Sequence, residues 1–151
     1  MRVYIASSWK NQHAVEMLTE CLEQRGHEVV SFVRQAAKTE DRVRFGQLDI
    51  EEWLRSEDAA AKFRYDTDGA TKSDLVIYIG PSGNDAWAEV GAAWASGVPV
   101  LGLWAKGEQA GLMRHMVAAW HKDYRHLLRV VDAIHSQGQA AVAQHKRAAS
   151  Q

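Results

Sequence analysis

Residues 74–80 read Asp-Leu-Val-Ile-Tyr-Ile-Gly, five consecutive apolar side chains between an acid and a glycine. A run this short and uninterrupted fits neither an amphipathic helix, which would show polar residues every three or four positions, nor a strand with one wet face, which would alternate. It predicts a strand buried on both faces, and therefore a parallel sheet with helices packed on either side. Pro81-Ser82-Gly83-Asn84 follows at once and breaks the strand.

The rest of the chain is read for the partners that such a strand needs. Val3 to Ala6 is a second short apolar run, ending at Ser7-Ser8. Between Asn11 and Arg25 the apolar residues Ala14, Val15, Leu18, Cys21 and Leu22 recur at helical spacing, and Gly26 stands at the stop position. Glu28 to Val33 predicts another strand, so the first third forms a βαβ unit. Residues 35–52 are polar and suit an active-site loop or lid. A mostly helical segment over 53–72, a helix over 86–96 closed by Gly97, and a strand over 98–104 follow. Leu112, Met113, Met116, Val117 and Trp120 predict an amphipathic helix. Residues 124–135 predict a strand-like turn or a helix. From Gln137 the composition turns to Ala, Gln and Lys with little periodicity, so 137–151 is expected as a frayed or disordered tail. The sum is one α/β domain over 1–136. It is expected to be doubly wound and flavodoxin- or Rossmann-like, in three layers, with four to five parallel strands of which the first and third are central.

Composition narrows the function classes. A formal net charge of -1 supplies no basic surface for a nucleic acid backbone. Cys21 is the single cysteine, so an internal disulfide or a thiolate zinc site is excluded, which favours a reducing compartment. The opening Met1-Arg2-Val3-Tyr4-Ile5 reads as a strand rather than a signal peptide, and no apolar run approaches the ~20 residues of a membrane span. A cytoplasmic protein is expected. The seven histidines have no ligand spacing, and no metal or cofactor is expected. His121 and Trp120 are read as the surface and the buried face of a helix.

In doubly wound sheets ligands bind beyond the carboxyl ends of the strands, where the strand order reverses. That rule selects the loop Ala6-Ser7-Ser8-Trp9-Lys10-Asn11 and the loop Gly80-Pro81-Ser82-Gly83-Asn84-Asp85. Both are small, polar and followed by a helix, as anion sites at helix N-termini are. The simpler reading makes Ser7, Ser8 and Ser82 helix caps. Two such loops meeting at one switch point favour a phosphate or sugar site. The chain has no Walker loop and no GxGxxG. Glu89 lies among small residues near the start of the following helix, where a surface acid favouring the helix dipole is the competing reading.

Four motifs in order carry a resemblance: Val3-Tyr4-Ile5-Ala6-Ser7-Ser8, Ser73-Asp74-Leu75-Val76-Ile77, Trp87-Ala88-Glu89-Val90-Gly91-Ala92-Ala93 and Ser96-Gly97-Val98-Pro99-Val100. Together they resemble the nucleoside 2-deoxyribosyltransferase superfamily, which includes deoxynucleoside 5'-monophosphate N-hydrolases and CMP hydrolases, over roughly the first two-thirds of the chain. The resemblance implies that Glu89 is the nucleophile, Asp66 the second acid and Tyr4 the site tyrosine. It matches Ser8 and Lys10 to a serine and an arginine that hold a 5'-phosphate in the monophosphate hydrolases. Ser82 resembles a loop serine that also touches phosphate, in a loop here one residue longer, with Gly83, Asn84 and Asp85 beside it. The serine that a neighbouring subunit lends to the phosphate in some hydrolases has no clear counterpart here, and Arg114 or His115 is the candidate substitute.

These residue types suit the chemistry. Cleaving an N-glycosidic bond builds oxocarbenium character at C1', which a carboxylate stabilises and then captures as an ester. The departing base needs a proton, which a second acid supplies. Trp9 is read equally as a stacking surface for the base and as a packing residue. The small neighbours Ala86, Ala88 and Gly91 are expected to leave room for a sugar. A nucleoside or nucleotide is thus the expected ligand, with water or a second base as sugar acceptor and with no nucleic acid or membrane partner. Met113, Met116 and Trp120 suggest a homodimer or higher homo-oligomer. Two alternatives stand beside this reading: a catalytically silent nucleotide sensor, and a TIR-like NAD glycohydrolase.

Overall fold

The structure, a computed structural model, describes residues 1–38 and 49–148. Strand β1 (Arg2–Ala6) leads through a 3-10 turn (Trp9–Asn11) into helix α1 (Gln12–Glu23) and strand β2 (Glu28–Val30). Helices α2 (Phe32–Lys38), α3 (Ile50–Arg55) and α4 (Glu57–Lys72) precede β3 (Leu75–Ile79). Helix α5 (Asn84–Ala95), β4 (Val100–Leu103), a second 3-10 turn (Leu112–Met116), β5 (Ala119–His121) and α6 (Tyr124–Ala148) complete the chain.

The five strands form one all-parallel sheet in the order β2-β1-β3-β4-β5. All five side chains of β3 are buried, as its unbroken apolar run predicts. On one face Val3, Ile5, Ile77 and Ile79 pack against Val15, Leu18 and Leu22 of α1 and Leu127, Leu128 and Val131 of α6. On the other, Tyr4, Ala6, Val76 and Tyr78 pack against Ala70 of α4 and Ala86, Val90 and Ala93 of α5. Period-two alternation along β1 and β3 thus divides the core into the two interfaces of a three-layer α/β domain. Connections from β1 and β3 leave in opposite directions, which puts the switch point between them.

Local chemistry sets several boundaries. Ser56 interrupts the single helix expected over 53–72: its backbone is extended and its Oγ accepts from the Ala59 amide at 3.1 Å, capping α4. Gly97 ends α5 at a φ of 76°, a left-handed conformation that glycine adopts without strain.

Other expectations need correcting. The second strand stops at Val30, and Phe32 already opens a helix. Residues 112–120 do not form an amphipathic helix. The chain makes one 3-10 turn and then extends as β5, whose edge pairing with β4 overrides the helical spacing, so Trp120 and His121 lie on a strand. Trp120 covers Gly102, where a Cβ would overlap its ring. The segment from Gln137 continues α6 to Ala148, because Ala, Gln and Lys are strong helix formers even without an apolar stripe. Of the polar stretch 35–52, residues 39–48 lie outside the described residues. Among the described residues no helix is long and apolar enough to cross a membrane.

Candidate active site

Tyr4 is the third residue of β1 and points into the layer beneath α4 and α5. Its ring passes so close under α4 that a Cβ on Gly69 would overlap it. Asp66 lies one helical turn earlier on the same face of α4 and accepts a hydrogen bond from the Tyr4 hydroxyl at 3.2 Å. Glu89 comes from the second turn of α5, and its carboxylate also interacts with the Tyr4 hydroxyl. The Glu89 Oε2 atom is buried without a hydrogen-bond partner. Three residues distant in sequence thus converge on one phenolic oxygen.

Burial dominates the electrostatics. Desolvation, then the neighbouring charge of Asp66, pushes the Glu89 carboxyl up to about 8, against a smaller opposing effect of the Tyr4 hydroxyl. Asp66 rises to about 6, chiefly by desolvation and opposed by its bond from Tyr4. Asp85 raises both from the start of α5. Tyr4 is itself pushed well above the ordinary phenol range, by burial first and by the two acids next, so it stays a hydrogen-bond donor. Carboxyl groups that titrate near neutral pH are suited to proton transfer and nucleophilic attack.

The two loops meet beside this pair. Ser7 Oγ donates to the Ile79 carbonyl at 2.9 Å and lies 3.2 Å from Ser82 Oγ. Ser82 Oγ donates to the same carbonyl at 2.8 Å. The side-chain amide of Asn11 faces four acceptors, Ser7 Oγ, Ile79 O, Pro81 O and Ser82 Oγ, at 3.0–3.3 Å. Sequence reasoning placed Asn11 in the first loop without giving it a role. Its position one turn after Ser7, facing a loop built from small residues, was the available signal.

Ser7 and Ser82 therefore tie one loop to the other. Ser8 differs: its Oγ is buried and has no partner. Lys10 is exposed, as are Gly83, the residue before α5, and Asn84 and Asp85 in its first turn. Trp9 is 47% exposed and meets Phe32 edge to face, ring centroids 4.5 Å apart. Of the small residues expected to leave room for a sugar, Ala86 is buried against the sheet and Gly91 faces Met116, so only Ala88 is open. Arg114 is engaged by Glu108 through Nε at 3.1 Å and Nη2 at 2.8 Å, whereas His115 is exposed. Among the described residues no group of three or more His, Cys, Asp or Glu is placed to hold a metal ion.

A 2-deoxyribosyltransferase from Bacillus psychrosaccharolyticus superimposes with a TM-score of 0.63 at 21% identity, over 84% of this chain and 90% of that enzyme. The chain shares the fold of this enzyme. A CMP N-glycosidase from Clostridium botulinum matches with a TM-score of 0.56 at 24% identity, over 88% of this chain and 99% of that one. The deoxyribosyltransferase-like fold so defined is the five-stranded parallel sheet described above, and it accounts for nearly the whole length of both enzymes. No protein-family model matches the sequence, and no curated protein does.

Proposed function

We propose that the protein cleaves the N-glycosidic bond of a nucleoside or nucleoside 5'-monophosphate by double displacement, with Glu89 as nucleophile. The observation that carries this reading is the convergence of Asp66 and Glu89, both partly buried, on the Tyr4 hydroxyl at the switch point. A carboxylate with a buried, unpartnered oxygen has no structural use for its charge, and burial without compensation is costly. The fold shared with a deoxyribosyltransferase and a CMP N-glycosidase agrees with it.

In this reading the ionised Glu89 attacks C1'. The C1'–N bond breaks, its electron pair leaves with the base, and Asp66 delivers a proton to that base. A glycosyl ester on Glu89 results. Water or a second base then attacks C1', gives up a proton to the now ionised Asp66, and releases the Glu89 carboxylate. Tyr4 keeps its proton throughout and orients both acids. Trp9 and Phe32 offer an aromatic edge for the base, and Ser8 and Lys10 supply donors for the sugar or its 5'-substituent. The exposed Leu112 and Met113 serve as the contact of a homodimer.

The test is incubation with nucleosides and their 5'-monophosphates, with chromatography for free base, followed by mass spectrometry after trapping with a 2'-fluoro nucleoside. An adduct on the peptide containing Glu89 is expected. Glu89→Ala should lower kcat by at least about a thousandfold, the several kcal/mol that a covalent nucleophile contributes. Undiminished base release by that variant rules the assignment out.

A further inference from the structure

Beside the carboxylate pair, in the same layer between sheet and helices, lies a second buried polar group that the proposed chemistry does not use. Glu108 is 8% exposed, and its side chain is almost wholly enclosed. Its Oε2 accepts from the Tyr78 hydroxyl at 2.8 Å, and its Oε1 accepts from both Nε and Nη2 of Arg114. The Tyr78 oxygen in turn accepts from the Ser82 amide at 3.1 Å. The Arg114 guanidinium carbon sits over Trp87, 4.2 Å from the ring centre, and Tyr78 packs on the same indole with ring centroids 4.6 Å apart. Trp87 is two residues before Glu89 on α5.

The approach of Glu108 is built into the backbone. A turn closed by the Glu108 amide on the Ala105 carbonyl, with Gly107 at a φ of 100°, brings the side chain over Gly80. A Cβ on Gly80 would overlap the carboxylate. Such an ion pair is a poor means of stabilising a core, since apolar groups of the same volume do as well or better. What it supplies is direction. A carboxylate facing a guanidinium only accepts, so the single Tyr78 proton must point at Glu108. The Tyr78 lone pairs are then left for the Ser82 N–H. Every donor in the relay, from Ser82 to Tyr78 to Glu108 and from Arg114 to Glu108, has one consistent orientation.

We infer that Tyr78 and Glu108 are positioning residues: the Arg114–Glu108–Tyr78 relay fixes the Ser82 amide, and so holds the β3–α5 loop and the first turn of α5 where a substrate meets them. The inference rests on the reading of this site as a nucleoside-cleaving centre. Its effect falls on binding more than on chemistry, because Glu89 lies a turn further on and is held by the burial of Ala86 and Val90 beside it.

The experiment is Tyr78→Phe, which keeps the ring and removes the hydroxyl, followed by hydrogen exchange of the Ser82 amide and steady-state kinetics with the best nucleoside. Losing one hydrogen bond should lower Ser82 protection about five- to tenfold, with the β3 amides unchanged, and should raise KM by a similar factor while kcat stays within about threefold. Glu108→Gln, which removes the charge that orients the relay, should shift the same two readouts in the same direction. Unchanged Ser82 protection in both variants overturns the anchor, as does a fall in melting temperature alone with KM unmoved. A wild-type chain that releases no base from any nucleoside sinks the catalytic reading instead, and the exchange result then decides the anchor by itself.

Discussion

In the proposed double displacement, Glu89 as nucleophile and Asp66 as acid would have opposite requirements on pH. The nucleophile must be ionised, which on its own favours activity as pH rises through about 8. The acid must carry its proton, which is lost as pH rises through about 6. Since the acid titrates below the nucleophile, the working form is a minority at every pH. A bell-shaped kcat/KM profile with its maximum near neutrality is expected, with apparent limbs that belong to the pair. A rate that climbs steadily to pH 9 would show that no protonated acid is needed. The same displacement has a cost for the fold. A carboxyl raised in the folded state binds its proton more tightly there than in the unfolded chain, so its contribution is full below the unfolded value, near 4, and declines as pH rises to about 8. Glu89→Gln should therefore stabilise the protein at pH 8 by about 1–3 kcal/mol and change little at pH 4, measured by denaturant unfolding at both. Equal stabilisation at both would point to packing instead.

At the scale of elements, α4 shows what a glycine inside a helix is for. Gly69 and Asp66 share the face that meets Tyr4, the one by yielding space to the ring and the other by accepting a hydrogen bond from its hydroxyl. Gly69→Ala would gain up to about 1 kcal/mol of helix propensity. The overlap with a wholly enclosed ring should more than reverse this, giving a net loss of about 1–3 kcal/mol in thermal or denaturant unfolding together with lower base release. A stabilised, active Gly69→Ala protein would mean that the ring has room to move. The elements were legible in proportion to their burial. The run Leu75–Ile79 and the α1 stripe of Val15, Leu18 and Leu22 carry their periods openly. β5, three residues long and half covered, does not, because its conformation comes from pairing with β4 rather than from its own sequence. Tyr4, Asp66 and Glu89 were named through motif resemblance and come together in the fold. The Tyr78–Glu108–Arg114 relay was not named, since it joins residues of unremarkable local pattern through a turn whose course no periodicity records.

For the whole molecule, exposed apolar side chains occur on several elements, among them Ile50 and Leu54 on α3, Phe63 on α4 and Trp94 on α5. Leu112 is 81% and Met113 59% exposed on the second 3-10 turn, while Met116 and Trp120 pack against the core. The proposed dimer would use the exposed pair. Met113→Glu should then lower the sedimentation coefficient from that of a dimer to that of a monomer, leaving the melting temperature of the isolated fold within a few degrees. A wild-type chain that sediments as a monomer at high concentration removes that proposal.

The loop junction at the switch point has a polarity of its own. Ser7 and Ser82 both send their hydroxyl hydrogens to the carbonyl of Ile79, and the two amide hydrogens of Asn11 are spread over four oxygens. Every proton in that patch is already committed, so what it turns outward is lone pairs. In the proposed reading a ligand resting there would meet a surface that takes hydrogen bonds and gives none, while the exposed Lys10 ammonium has protons to offer. If the chain binds a nucleoside as proposed, the junction would sort it end for end: groups that carry hydrogens, such as sugar hydroxyls, are expected over Ser7 and Ser82, and a 5'-substituent that carries only oxygen lone pairs toward Lys10.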